Sequence, residues 1–147
     1  MLINKNKTTI KTSNIEIKDE WYLIDAKDKT LGRLSSKIAY LLKGKNHTLY
    51  TPNSLSNIYI IVLNSKDIIV TGNKRTQIIY KRHSGRPGSM KRESFNDLQN
   101  RIPNRIIEKS IKGMLPKNSL GRRLFKQLKI YPDNHHPHGA QKPFILK

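Results

Sequence analysis

The chain has 147 residues and carries 29 Lys and Arg against 10 Asp and Glu, a formal charge of +19, with no cysteine. That length suits one domain that buries roughly 68–70% of its unfolded surface without staples, and the missing cysteines exclude disulfides, cysteine zinc sites and thiol nucleophiles. The charge excess costs self-repulsion that an anionic partner relieves, which puts nucleic acid first; a membrane partner is not expected, because no lipidation motif is present and no run reaches the roughly 18 apolar residues of a span.

Residues 1–19 are polar and lysine-rich and are expected to form an extended arm, free or laid on RNA. They lack the apolar core of a secretory signal and have no arginine and little serine, unlike many transit peptides. Ile, Lys and Asn supply 52 of the 147 residues, and their AT-rich codons suit a plastid genome or an AT-rich bacterium. Trp21-Tyr-Leu-Ile-Asp25 reads as a strand. Thr30 can cap a helix with Leu31, Leu34, Ile38, Leu41 and Leu42 on one face, closed by Gly44. Ile58-Tyr-Ile-Ile-Val-Leu63 is a continuous apolar run of strand length, as in a parallel sheet covered on both faces. Strand, helix and strand together read as a βαβ unit.

Ile68-Ile-Val-Thr71 is a third strand candidate, Gly72-Asn73 a turn and Thr76-Gln-Ile-Ile-Tyr80 a fourth strand. Ser84 to Met90 reads as an irregular loop. Ser94 can cap a short helix through Asn100. Pro103 suits the first turn of another, with Ile106, Ile107, Ile111 and Met114 inward, ended by Gly113 as a left-handed cap and by Pro116. Asn118 or Ser119 can cap a last helix with Leu120, Leu124, Phe125 and Leu128 on its apolar face. The tail from Pro132 holds three prolines and is expected to be irregular. The fold class is therefore α/β, a small parallel or mixed β-sheet flanked by helices, with irregular basic loops and extended N- and C-terminal segments. Residues 20–147 form one domain.

Three zones gather the positive charge. The first, Lys43-Gly-Lys45 to Pro52, follows a helix C-terminus, where lysines also suit the helix dipole. The second, Gly72 to Arg92, holds seven Lys or Arg with no acid between Asp67 and Glu93. Its glycines let backbone approach phosphate closely, and Tyr80 offers either a stacking face or core packing. The third is Lys112 to Tyr131, inside a stretch of seven Lys or Arg between Glu108 and Asp133. A helix apolar beneath and cationic above is suited to polyanions, or is simply a solvated face. The residues assigned to RNA are Lys74, Arg75, Arg82, His83, Arg86, Lys91 and Arg92, then Lys117, Arg122, Arg123, Lys126 and Lys129, with Lys43 and Lys45 beside them.

The wording of these zones resembles the family of large-subunit ribosomal protein thirteen, of bacterial and organellar type. Gly113-Met-Leu-Pro-Lys117, Leu120-Gly-Arg122 and Leu128-Lys-Ile-Tyr131 carry the resemblance. Trp21-Tyr22, Leu31-Gly-Arg33, the Lys43 to Pro52 segment, Thr71 to Lys74, Tyr80, His83, Gly85, Gly88 and Lys91 extend it, so that it runs from about Trp21 to Leu146. Ser89 stands where a second glycine is common, Ile79 where a second tyrosine is, and Asp133 and Lys142 also depart from the pattern. The resemblance implies a non-enzymatic constituent of the large ribosomal subunit that binds and stabilises large-subunit, 23S-type rRNA and supports assembly and translation. The implied partners are that rRNA and neighbouring large-subunit proteins, in a plastid stroma or a bacterial cytoplasm. The similar tail implies RNA contacts or packing for His136 and His138.

His135, His136 and His138 beside Asp133 invite a metal reading, but a proline-containing tail poorly holds a tetrahedral cage. No cofactor is expected beyond Mg2+ belonging to the RNA. No phosphate-binding loop or dinucleotide turn occurs, and no small-molecule substrate is expected. The rival from another class is a nuclease that uses Asp25 or Asp28 for metal. Asp25 also reads as a strand end and Asp28 as part of a polar turn.

Overall fold

The computed structural model describes residues 19–48 and 50–146, so the arm expected over residues 1–19 lies almost wholly outside them. Strand β1 (Glu20–Asp25), helix α1 (Leu31–Leu42) and strand β2 (Ile58–Leu63) form the expected βαβ unit. β1 and β2 pair in parallel, with Glu20 opposite Ile58 and Asp25 opposite Leu63. Five of the six β2 residues are buried, as its unbroken apolar run requires of a strand covered on both faces. α1 turns Leu34, Ile38, Ala39 and Leu42 onto the sheet. Gly44 ends it with a positive φ of 71°, donating its N–H to the Leu41 carbonyl at 2.7 Å. A β-carbon at Gly44 would also lie 3.0 Å from that of Ser56, so conformation and space both call for glycine there.

Thr30 takes the N-cap position without a side-chain cap bond. The chain before α1 is held instead by residues 68–70. Leu31 donates to the Ile69 carbonyl and Ile69 to that of Lys29, one isolated bridge where a third strand was expected. The apolar run there serves burial rather than pairing: Ile68 is fully buried in the main core and Val70 packs on a second cluster. The expected strand over residues 76–80 also starts late. Thr76 and Gln77 donate to the Asn73 carbonyl, and the Thr76 hydroxyl does the same at 3.0 Å. This local bonding winds α2 (Lys74–Gln77) and leaves strand β3 as Ile79–Arg82, antiparallel to β4 (Lys91–Ser94).

Ser94 caps α3 (Phe95–Arg101), accepting from the Asp97 N–H. α4 (Asn104–Met114) buries Ile106, Ile107 and Ile111. Met114, expected inward, is exposed, and Leu115 takes the core position at 5% exposure. Gly113 lies inside α4 and not in a left-handed cap. Leu115 ends the helix instead, in the extended conformation (ψ 156°) that a following proline imposes. α5 (Ser119–Lys126) is capped by Asn118, whose side-chain oxygen accepts from the Gly121 N–H at 2.9 Å. Leu128, expected on the apolar face of that helix, opens strand β5 (Leu128–Ile130). It is still buried, because β5 pairs with β2.

The tail corrects the expectation of irregular chain. After residues 131–143, strand β6 (Phe144–Leu146) pairs in parallel with β1, Tyr22 opposite Phe144. The four-stranded sheet runs β5-β2-β1-β6, all parallel. One core lies between this sheet and α1, α4 and α5; a smaller cluster of Phe95, Leu98 and Ile106 lies under the hairpin, and Leu31 touches both. Among the described residues, no helix is long and apolar enough to cross a membrane.

Candidate nucleic-acid interface

The β3–β4 hairpin is the most exposed of the basic zones, and Lys74, Arg75, Arg82, His83, Arg86, Lys91 and Arg92 all reach solvent on it or on α2 beside it. Its register sets Arg82 opposite Lys91 and Lys81 opposite Arg92. Like charges directly across a ladder destabilise it. The nearest acid in the register, Glu93, is consumed by Arg101, which grips both its oxygens at 2.7 and 2.8 Å. The outer end of the hairpin therefore carries two repulsive pairs that only an external anion relieves. Lys81 was not among the residues assigned from the sequence, because the expected strand ended at Tyr80 and only the register sets Lys81 opposite Arg92.

The loop between the strands is ordered by its own hydrogen bonds. The Gly85 N–H donates to His83 Nδ1 at 3.0 Å, which leaves His83 Nε2–H directed outward as a donor. Gly85 and Gly88 have φ of 96° and 73°. Ser89 closes the loop, donating its hydroxyl to the Arg86 carbonyl at 2.6 Å and accepting from Ser84 at 2.7 Å. Tyr80 takes the packing alternative: its ring lies against Phe95, and the Lys109 ammonium sits 4.7 Å over its centre. Burial pushes its hydroxyl above the usual tyrosine range.

Lys109 belongs to α4, and Lys112, one turn on, reaches over the Phe125 ring of α5 at 5.9 Å. These two lysines link the hairpin to the signature helix. On α5, Arg122, Arg123 and Lys126 are exposed, as is Lys117 before it, while Leu124 is 2% exposed beneath. Lys129 lies on β5 opposite Ile61 and is half-buried. Among the described residues, no ion pair joins any of the assigned lysines and arginines to a carboxylate; the pairs formed are His47–Glu20, Lys66–Asp133, Arg101–Glu93 and Arg105–Glu108.

Lys43 and Lys45 stand on the loop after α1. The Tyr40 hydroxyl pins that loop, donating to the Lys45 carbonyl at 3.0 Å. Across a groove from them lie Pro116, Leu120 and Leu124, so the first and third zones, far apart in sequence, share one surface.

The tail histidines divide. His138 packs into an aromatic cluster, 5.3 Å from the Trp21 ring and 5.9 Å from Tyr131, and its Nε2 shares a 2.8 Å hydrogen bond with the Tyr131 hydroxyl. Ring packing is one of the two roles that the resemblance implies for His138. Burial and the charges of Lys129 and His136 hold its pKa below the usual histidine value. His136 accepts from the His138 N–H through Nδ1 and is half-buried. Among the described residues, no group of three His, Asp or Glu side chains is placed to hold a metal ion. Asp25 ends β1 as expected. Its Oδ1 accepts from the Lys27 N–H at 2.9 Å and the Asn64 amide at 2.8 Å, bonds that hold its carboxyl below the usual range, the Lys27 N–H most of all. That carboxylate holds a turn together.

A family model described as Ribosomal protein L13 matches residues 19–137. The chain is 64% identical over 126 residues to "Large ribosomal subunit protein uL13c" of Gracilaria tenuistipitata var. liui, covering 86% of this chain and 88% of that protein. It is 56% identical over 142 residues to "Large ribosomal subunit protein uL13" of Prochlorococcus marinus subsp. pastoris, covering 96% and 98%. With "Large ribosomal subunit protein uL13c" of Porphyra purpurea it shares 54% identity over 138 residues, covering 94% and 96%.

Proposed function

The chain belongs to the Ribosomal protein L13 family, and from that premise we propose that it is a structural constituent of the large ribosomal subunit that binds and stabilises 23S-type rRNA. The family is one of structural proteins, not enzymes. The observation that carries the RNA reading is the pair of like-charged cross-strand contacts, Arg82 with Lys91 and Lys81 with Arg92. A free protein gains nothing from them; successive strand residues face opposite sides, so a phosphate lying over either face of the hairpin turns the pair on that face into attraction. α5 and the segment before it add the exposed cations Lys117, Arg122, Arg123 and Lys126.

The mechanism is scaffolding. Lys and Arg neutralise phosphates and release counterions, and Arg adds bidentate grip or base stacking. Recognition rests on RNA shape and unpaired nucleotides, because the A-form major groove is too narrow for side chains to read. Clamping adjoining RNA segments supports subunit assembly, and any Mg2+ near this surface belongs to the RNA. Neighbouring large-subunit proteins complete the surroundings. The setting is a plastid ribosome, supported by the uL13c relatives. A bacterial cytoplasm is the alternative, supported by the Prochlorococcus relative, which is covered more fully than either.

Sedimentation of a native lysate through sucrose at moderate and then high salt tests the reading, with the chain followed by mass spectrometry. Near-stoichiometric residence in the large subunit after the salt wash is the expected result. Absence from that particle overturns it.

A further inference from the structure

We propose that the groove between the α1–β2 loop and α5 receives a single extruded RNA base, stacked on Tyr50 with its flanking phosphates on Lys43 and Lys45. This rests on the rRNA binding proposed above and gives it a site for an unpaired nucleotide. The groove encloses about 230 Å³, below the roughly 300–1,000 Å³ of sites for drug-sized ligands, which suits one planar ring rather than a cofactor.

Its floor is apolar, formed by Leu120 and Leu124, and Leu124 is only 2% exposed. Tyr50, at 37% exposure, lines the groove from the α1–β2 loop and Pro116 from the segment before α5. Ser54 donates its hydroxyl to the Thr51 carbonyl at 3.0 Å, so its lone pairs remain to accept from an exocyclic amine. No carboxylate lines the groove, and both rim charges are lysines. The combination of an aromatic face, an apolar floor and a cationic rim is how single-stranded nucleotides are held.

Both walls are pre-set. The Tyr40 hydroxyl and the Gly44 turn hold the lysine loop. The Asn118 cap and the close approach of Gly121 to Pro116 hold α5. Segments held in this way have little ordering cost left when a base enters. An acidic peptide would satisfy the two lysines but would leave the aromatic residue and the apolar floor unused, so the base is the better match.

The test uses the full chain and a transcript of the large-subunit rRNA. Tyr50→Ala is expected to weaken binding about 5- to 150-fold, the fold-change that base–aromatic stacking implies, with the salt slope unchanged. Tyr50→Phe keeps the ring and should retain affinity. Lys43→Ala with Lys45→Ala should flatten the slope of log affinity against log salt by about 1.4–1.8. Zero-length ultraviolet crosslinking should join the Tyr50 peptide to an unpaired nucleotide. Wild-type affinity in Tyr50→Ala, with Arg82→Ala weakened, overturns the groove proposal and leaves the RNA reading standing. A wild-type chain that does not bind the transcript overturns both. A crosslink from the groove to a protein segment in intact subunits assigns it to an acidic peptide and overturns the proposal.

Discussion

Gly121 lies directly against the backbone carbonyl of Pro116: a β-carbon on residue 121 would sit 1.8 Å from that oxygen. The glycine of the Leu120-Gly-Arg122 wording is therefore a packing requirement. It lets the first turn of α5 fold back on the chain that ends α4, and this sets the angle at which Arg122 and Arg123 leave the surface. Gly121→Ala forces backbone apart, not a flexible side chain. Overpacking of this kind costs about 1–3 kcal/mol, and the absence of any yielding atom puts this site at the upper end. Urea unfolding should show the lowered midpoint, and a midpoint equal to wild type would mean that the two segments separate freely.

The hairpin makes a prediction in which stability and binding move in opposite directions. Lys91→Glu places an acid opposite Arg82 and turns a repulsive pair into an attractive one, worth roughly 0.2–1 kcal/mol in a cross-strand position. The free protein should be slightly more stable and its affinity for rRNA lower. Thermal unfolding and filter binding on the same sample decide the matter; a gain in affinity would show that this face does not meet phosphate.

For α5 the expectation is additive in salt dependence. Each true phosphate contact contributes about 0.7–0.9 to the slope of log affinity against log salt. Arg122→Ala, Arg123→Ala and Lys126→Ala combined should lower it by about 2–2.7. These side chains are exposed, so circular dichroism of the triple variant should match wild type. An unchanged slope would leave α5 a solvated face.

The tail histidine carries a pH dependence. Folding lowers the pKa of His138 from the ordinary 6.5, burial being the main cause. The unfolded chain then binds this proton more readily than the folded one, so the stabilisation is complete above 6.5 and is lost as pH falls through 6.5 toward the folded value. Trp21, the single tryptophan, reports on it from 5.3 Å. Quenching of its emission on acidification should have a midpoint below 6.5 and should be absent in His138→Gln. A midpoint above 6.5 would contradict the packed geometry.

The βαβ unit was legible because its signals are local and long. Ile58 to Leu63 is apolar without a break, and Leu34, Ile38 and Leu42 recur at helical spacing. The cap at Ser94 was legible for the same reason, and the one before α5 was narrowed to Asn118 or Ser119, each depending on an oxygen within three residues of its donor. Leu115 and Met114 show the limit. Both are apolar and adjacent, and which one faces inward depends on where α4 stops, which Pro116 decides by forcing Leu115 to extend. β5 and β6 were not legible, since three-residue strands are too short to express a period and declare themselves only by pairing with β2 and β1.

For the basic surface, the sequence by itself determined that the charge excess exists, that it clusters in three zones, and that one of them is an amphipathic helix. These follow from composition and from spacing along one helix. Only the tertiary structure decided which charges meet. The register opposes Arg82 to Lys91, α4 carries Lys109 and Lys112 between the hairpin and α5, and the fold sets Lys43 across from Leu120. It also drew Tyr80 and His138 into packing, against Phe95 and Trp21. The physical reason is common to all of these. Charge and periodicity are properties of a residue and its near neighbours, whereas cross-strand opposition, shared grooves and burial of a ring depend on segments brought together by hydrophobic contact across tens of residues.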